Sequence, residues 1–304
     1  MSARHLIILG LIVLVTASCS MRRMAARQTT AMVIRAIPAY DRETDLELAE
    51  QAIASNLKLL EGLLEGSPRS SSLLVTTSSS FARYTFGFIE EKIEIADQQY
   101  DLVEAARLTD RAVGLYERAK QYGLKAIAQS RIEFSQALGG DLDQLSSELQ
   151  HFGQKELPAL FWTAFAWGSI INLRQDNPAR LVELPKVKLM MARVLELDED
   201  YFFGGPHMFF GTLYGNLPEV LGGNLEKARY HLKRAIELSE GKYLMAKFLL
   251  AKYVAVPAQN RIQFEQVLQD ILSAPPDLFP DQGLANQLAK RRAERWVKRA
   301  DELF

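Results

Sequence analysis

Apolar residues recur along most of the chain at the three- and four-residue steps of an amphipathic helix. One such stripe begins at residue 46 and stops at Gly66-Ser67-Pro68; its members are Leu46, Ala49, Ile53, Leu57, Leu60 and Leu64. The same spacing returns over residues 102–122. A period of about 3.6 residues places these side chains on one face of a helix. Only residues 73–77 resemble a short strand, so the pattern predicts an all-α fold.

Short runs of Gly, Pro and Asn divide the second half of the chain. They are Asp176-Asn177-Pro178, Gly204-Gly205-Pro206 and Gly222-Gly223-Asn224. Asn is a frequent N-cap, Pro is tolerated in the first turn of a helix, and Gly adopts the left-handed conformation that ends helices. After the last run, Ala228, Leu232 and Ala235 have the small-large-small spacing by which a tetratricopeptide repeat packs its two helices together. The sequence therefore predicts a helical-hairpin solenoid of degenerate tetratricopeptide-like repeats.

The first 19 residues have the organisation of an export signal. Arg4 and His5 precede an apolar run over residues 6–15, which is shorter than the ~20 residues that cross a bilayer but typical of a secretory signal. Thr16-Ala17-Ser18 then supplies small residues directly before Cys19. This segment resembles the lipobox of bacterial lipoproteins, in which the cysteine is acylated and becomes the mature N terminus. An ordinary cleaved signal or an uncleaved anchor is the alternative.

We predict three segments: a lipoprotein signal peptide over residues 1–19, a tether with a possible short helical piece over residues 20–43, and a single helical repeat domain over residues 44–304. The expected location is the periplasm, with the protein attached to the membrane through its acylated N terminus. Ser20 follows the cysteine and is not the Asp that commonly retains such proteins at the inner membrane. The outer membrane is therefore the favoured attachment site.

Composition excludes several classes of partner and site. The 36 Lys and Arg residues balance 37 Asp and Glu, for a net charge of -1, so no basic excess draws the chain onto nucleic acid. A single cysteine allows neither an internal disulfide nor a thiolate metal cage. Hydrophobic residues make up 48% of the chain, which is the ordinary globular fraction and is enough for a sizeable core.

No catalytic or cofactor motif is present, so we predict no enzyme activity, cofactor or metal site. The chain has no G-x-S-x-G elbow, no phosphate loop and no G-x-G-x-x-G after a strand. The pattern around Glu90, Glu91 and Glu94 indicates a solvated surface, as does the basic outer face of the final helix. We expect His207 to hydrogen bond near the Gly-Gly-Pro turn and His231 to lie on the solvated face of its helix.

Two aromatic-rich segments supply the candidate ligand-lining residues: Trp162, Phe165, Trp167, Phe202, Phe203, Phe209, Phe210 and Tyr214. The helix around residue 162 is apolar on all sides, so something must cover every face of it. Solenoid core, a passage for an apolar ligand and a subunit interface all satisfy this requirement. The sequence pattern alone does not distinguish between them.

Several segments, in order along residues 46–304, resemble the T component associated with TRAP transporters. The most distinctive are LFWTAFAWGSIINL (160–173), LPKVKLMMARVLELDEDYFFGGPH (184–207) and GGNLEKARYHLKRAIELSEG (222–241). The resemblance implies a periplasmic lipoprotein that forms a homotrimer, each protomer enclosing an apolar passage. It also implies a periplasmic TRAP solute-binding protein as partner and a small apolar or amphipathic organic ligand as cargo. A periplasmic repeat scaffold for envelope assembly is the alternative function, and it would present an open, charged groove in place of a closed apolar channel through the protomer.

Overall fold

The structure, a computed structural model, describes residues 28–304. Cys19 and the predicted signal lie outside the described residues. In chain order the helices are α1 (28–41), α2 (Leu46–Gly66), α3 (Ser71–Tyr84), α4 (Glu90–Gln98), α5 (Leu102–Ala128), α6 (Phe134–Gly139), α7 (Leu142–Leu149), α8 (Leu157–Leu173), α9 (Pro178–Leu181), α10 (Leu184–Leu197), α11 (Tyr201–Asn216), α12 (Leu225–Leu238), α13 (Leu244–Leu250), α14 (Arg261–Ser273), α15 (Gly283–Val297) and α16 (Ala300–Leu303).

The described residues form helices and connecting loops and contain no strand, so the all-α prediction is confirmed for them. Residues 73–77, the one strand-like stretch, lie within α3. Two π-helices, Thr85–Ile89 and Ala251–Ala255, continue α3 and α13, and short 3-10 turns occupy Glu219–Leu221 and Pro280–Gln282. Within this part of the chain, no helix combines the length and apolar character that a membrane span requires.

Polar caps begin the helices where the sequence predicts them. The Asn224 side chain accepts a hydrogen bond from the Lys227 backbone N–H at 2.8 Å, and Asn177 accepts one from Ala179 at 3.0 Å. Each cap satisfies a backbone donor that the first turn of a helix leaves free. Gly222 has a φ of 94° and ends the preceding 3-10 turn in the left-handed conformation. These two predicted boundaries are confirmed, whereas the third run, Gly204-Gly205-Pro206, lies within α11 at a left-handed turn.

Helices α11 and α12 pack as a close antiparallel pair. Ala228, Leu232 and Ala235 are fully buried, and the glycines of α11 allow their close approach. A Cβ atom at Gly211 would lie 2.4 Å from the Leu232 side chain, and one at Gly204 would lie 2.9 Å from the Ala235 backbone. The predicted small-large-small set therefore packs helix on helix, and its continuation into a repeat solenoid remains a prediction.

The C-terminal helix α15 packs against the N-terminal half of the chain and is fixed there by ion pairs. Arg291 and Arg295 both donate to Glu91, whose side chain is 2% exposed, and Arg295 also donates to Glu94 at 2.8 Å. Lys252 pairs with Glu94 as well. The solvated-surface interpretation of these glutamates was wrong, because the basic partners of Glu91 and Glu94 lie 158 to 204 residues later in the chain. The final helix turns two of its arginines toward α4 instead of toward solvent.

Candidate ligand cavity

A cavity of about 160 Å³, partly open to solvent, lies between the helices. Its wall is formed by the end of α1 and the start of α4 together with α2, α3, α8, α11, α13, α15 and both π-helices. A cavity of about 150 Å³ with an apolar lining stays dry and can hold a benzene-sized molecule. The space is therefore large enough for a small organic ligand.

The face of α8 that lines the cavity has a helical spacing. Phe161, Phe165, Gly168, Ser169 and Asn172 line it, at steps of four, three, one and three residues. Such steps keep the side chains on one stripe of a helix. Gly168 is required there, because a Cβ atom would lie 2.4 Å from the Phe209 ring. Small and polar residues in an otherwise apolar helix mark the side that faces the cavity.

Aromatic rings meet edge to face across the wall. The Trp162 ring lies 4.9 Å from the Phe202 ring at 74° and 5.7 Å from the Phe165 ring at 71°. Phe86, from the first π-helix, contacts Phe165 at 5.9 Å and 77°. These are favoured geometries for aromatic pairs, because the positive edge of one ring meets the negative face of another. The rings hold one another in place on this side of the cavity.

The start of α11 contains a left-handed turn that sequence reasoning missed. Phe202, Phe203 and Gly204 have φ angles of 51°, 60° and 77°. The left-handed conformation costs a bulky residue roughly 1–2 kcal/mol, so two adjacent phenylalanines in it are strained. The turn directs Phe202 into the cavity wall, while Phe203 stacks on Tyr243 at 5.0 Å. Strain of this kind persists where surrounding contacts impose it, and it clusters at functional sites.

Both π-helices also contribute to the wall, through Phe86, Gly87 and Phe88 in the first and Tyr253 in the second. Arg292 holds the first π-helix in place: its guanidinium donates to the Phe86 carbonyl and lies 4.9 Å from the Phe86 ring. Arg292 is only 1% exposed. π-Helical turns often occur at functional sites. No residue pattern in Thr85–Ile89 predicts that this segment forms a π-helix.

The cavity wall carries a few polar groups among the apolar ones. Tyr116 donates a hydrogen bond of 2.5 Å to Glu90, which lines the cavity two helical turns beyond Arg83. Burial raises the pKa of Glu90, and the Tyr116 hydrogen bond opposes that effect only in part. Burial and the adjacent Glu90 raise the pKa of Tyr116 well above its ordinary value. Arg83, which also lines the cavity, pairs with Asp41 at the end of α1.

Helix geometry separates the predicted ligand-lining residues into two groups. Trp162, Phe165, Phe202 and Phe209 line the cavity. The other four predicted residues, Trp167, Phe203, Phe210 and Tyr214, do not line it.

Each of the four residues off the wall packs elsewhere. The Trp167 ring N–H donates to Glu183 at 2.9 Å, and the Phe203 ring contacts Phe279 at 5.2 Å. Phe210 and Tyr214 stack on each other and on His231. On α11 the cavity face is Gly205, Met208, Phe209, Thr212 and Leu213, so positions 210 and 214 turn toward α12.

His231 lies half-buried between α11 and α12, so the expectation that it occupies a solvated face was wrong. Its Nδ1 is 2.9 Å from Nδ1 of His207, whose Nε2 is 3.1 Å from Glu199. Burial lowers the pKa of His207, and burial together with His207 lowers that of His231 to about 4. Both rings are therefore neutral at pH 7 and link the strained turn to α12. Within residues 28–304 no cluster of His, Cys, Asp and Glu has the arrangement of a metal site.

Comparison with known proteins supplies the family. The model of the TRAP transporter T-component matches residues 42–304, which is most of the chain. The chain belongs to this family. It is thus an accessory of a TRAP transport system, and it is associated with the cell envelope. It is also 24% identical over 264 residues to an uncharacterised protein of Treponema pallidum (strain Nichols), an alignment that covers 85% of this chain and 80% of the relative.

Proposed function

We propose that the protein is a periplasmic lipoprotein that binds a small apolar or amphipathic organic molecule in its cavity and passes it to a TRAP solute-binding protein. The cavity carries this proposal: an apolar, aromatic space with few polar groups is the usual form of a small-molecule site. Apolar and aromatic residues predominate on its wall, where the charged residues are Asp41, Arg83 and Glu90, and this composition favours ligand handling over the scaffold alternative with its charged groove. Binding requires no bond chemistry.

The proposed mechanism is passive. Apolar surface of the ligand leaves water for the aromatic wall, which contributes ~25 cal/mol for each Å² buried. A site without an energy source cannot concentrate its ligand, so the direction of transfer follows the relative affinities of the two proteins. The solute-binding protein therefore has to bind the ligand more tightly than this cavity does.

Attachment and assembly are parts of the same proposal. Acylation of Cys19 holds the body at the outer membrane, and a homotrimer brings three cavities together beside the partner. One acyl chain gives only marginal attachment and several make it stable. Replacing Cys19 by Ser should therefore move the protein from the membrane fraction to the soluble fraction. Retention of the Ser variant in the membrane fraction would exclude the acyl anchor.

Filling the cavity tests ligand binding. Ala285 lies half-buried on the wall in α15, so Ala285→Leu adds an isobutyl group to the space. The probe is 4-fluorobenzyl alcohol, followed by fluorine NMR. We expect the variant to bind the probe at least about tenfold more weakly while its unfolding temperature stays the same or rises. Ala106→Leu, at an exposed position of α5, is the control and should bind normally. Equal binding by both variants would rule out the cavity as the site.

Transfer is tested with the solute-binding protein of the same TRAP system. Calorimetry or crosslinking at micromolar concentration should detect their association, and the labelled probe should move from one protein to the other. If the two proteins neither associate nor exchange the probe, the transport part of the proposal is wrong.

A further inference from the structure

Arg83 is the one basic side chain on the cavity wall among the described residues. Its guanidinium lies 5.5 Å from the centre of the Phe202 ring, and its side chain is 26% exposed. A guanidinium carries five N–H donors in a planar fork that matches a carboxylate. Within the described residues its one hydrogen-bond acceptor is Asp41, which it contacts through Nη2. Most of the donor capacity of this cation is therefore available to a further acceptor.

The carboxylate that Arg83 contacts comes from a lightly held segment. Asp41 is the last residue of α1, and of residues 28–41 only Thr30 is buried. The neighbouring Arg42 makes a 3.8 Å ion pair with Asp281, but both of these side chains are largely exposed, and exposed pairs contribute little. Ile37 and Tyr40 contact the cavity without being fully buried. The Asp41–Arg83 pair is thus the main polar attachment of the end of α1.

The strained turn at the start of α11 belongs to the same place. Its left-handed backbone holds the Phe202 ring against both Arg83 and Trp162. A molecule in the cavity therefore meets a positive charge from Arg83 and an apolar surface from the Phe202 and Trp162 rings. Strain of two adjacent bulky residues is an observed outlier, and it indicates a functional reason for this geometry.

We propose that Arg83 binds the carboxylate of an amphipathic organic acid, and that Asp41 is an internal carboxylate that occupies Arg83 until the ligand displaces it. This inference rests on the proposed ligand-binding function. The body of the acid lies against Trp162 and Phe202. Displaced Asp41 moves into water with the end of α1, so occupancy of the cavity is transmitted to the segment that leads toward Cys19.

The energetics of such an exchange favour reversible binding. Arg83 leaves one carboxylate and gains another, so the electrostatic terms nearly cancel and no buried charge is left unpaired. The net driving force is then the burial of the apolar body of the ligand, about 0.8 kcal/mol for each CH₂ group. An intramolecular competitor multiplies the apparent affinity by the fraction of molecules in which it leaves the site free. A cavity of this kind releases its ligand readily.

The test compares an acid with a neutral molecule of the same shape, 4-fluorophenylacetate and 2-(4-fluorophenyl)ethanol, by calorimetry and fluorine NMR. Asp41→Asn removes the competitor and should raise the affinity for the acid about threefold or more. Arg83→Gln should lower the affinity for the acid about tenfold. Both changes should alter the affinity for the alcohol less than the affinity for the acid, so the preference for the acid rises in Asp41→Asn and falls in Arg83→Gln. Asp110→Asn removes the ion pair of Asp110 with Arg174, outside the cavity wall, and should change nothing.

A measurement on the unaltered protein keeps the proposal testable if a variant does not fold. Saturating acid should speed trypsin cleavage after Arg42, since the end of α1 is released, whereas saturating alcohol should not. Three results would overturn the proposed competition between Asp41 and the ligand. They are weaker binding of the acid by Asp41→Asn, normal binding of the acid by Arg83→Gln, and trypsin cleavage that does not respond to the acid. Binding of the alcohol separates the two proposals. If the protein does not bind the alcohol, the proposed ligand cavity is wrong. If it binds the alcohol but shows no preference for the acid, only the proposed role of Arg83 is wrong.

Discussion

Replacing Glu91 by Ala should weaken the whole fold, because Glu91 fixes the C-terminal helix against the N-terminal half. Its carboxylate is 2% exposed and accepts hydrogen bonds from Arg291 and from Arg295, the latter at 2.7 Å. Removing one partner of a buried ion pair costs about 3–5 kcal/mol. We expect the lower end of that range, because Arg295 keeps its hydrogen bond to Glu94 and the Arg291 side chain is 39% exposed. For a domain of this size that corresponds to a fall in unfolding temperature of roughly 5–10 °C.

The assay is urea and thermal unfolding followed by circular dichroism, with Glu104→Ala as the matched control. Glu104 pairs with Arg107 one turn away on the exposed surface of α5, where such a pair contributes about 0.2–1 kcal/mol. The two variants remove the same side chain from two different surroundings. If Glu91→Ala costs no more stability than Glu104→Ala, α15 is not fixed by this ion cluster and the described closure of the fold is wrong.

Two further predictions concern pH and packing. Burial opposes the ionisation of Glu94, but Lys252 and neighbouring arginines hold its pKa at about 2 against an ordinary 4.5. The ionised carboxylate therefore contributes roughly 3 kcal/mol to the free energy of unfolding above pH 4.5, and this contribution is lost as the pH falls toward 2. The stability of Glu94→Gln should depend less on pH between 6 and 3. If the variant keeps the same pH dependence, Glu94 is not the titrating group. Gly211→Ala should destabilise the protein, because the new Cβ would lie 2.4 Å from Leu232. The control Gly114→Ala meets open space on α5 and should stabilise the protein by about 0.5–1 kcal/mol. Equal effects of the two variants in thermal unfolding would contradict the close packing of α11 on α12.

Local signals in the sequence predict the helices well. Asn177 and Asn224 cap the helices that they precede, and the apolar stripe that begins at Leu46 becomes the buried face of α2. These features depend on neighbours within one or two helical turns, so their chemistry is readable from a short window of residues. The apolar character of α8 on all sides likewise corresponds to a helix that is covered on every face.

The ion cluster around Glu91 and the cavity wall are only partly predictable, since the residues of each come from distant segments of the chain. The burial of Glu91 depends on arginines 200 and 204 positions later in the chain, and a window around Glu91 contains only polar neighbours. The left-handed backbone of Phe202 and Phe203 is imposed by tertiary contacts against local preference. One signal was available in the sequence: Gly168, Ser169 and Asn172 continue the stripe of Phe161 and Phe165 along an otherwise apolar helix.

That stripe also explains which aromatic candidates reach the cavity. Trp167 lies two positions after Phe165 and therefore points about 160° away from it around the helix axis, toward Glu183. Counting helical positions from the small residues would have separated Phe165 from Trp167. An aromatic residue type alone does not make that distinction.

Locating a bound ligand tests the central claim most directly. A crystal of the protein soaked with 4-bromobenzyl alcohol reports the position of the bromine through its anomalous scattering. The account predicts one strong peak inside the cavity, among wall residues such as Trp162 and Leu288. A crystal at saturating ligand with no peak there, or with the bromine only on the outer surface, would contradict it.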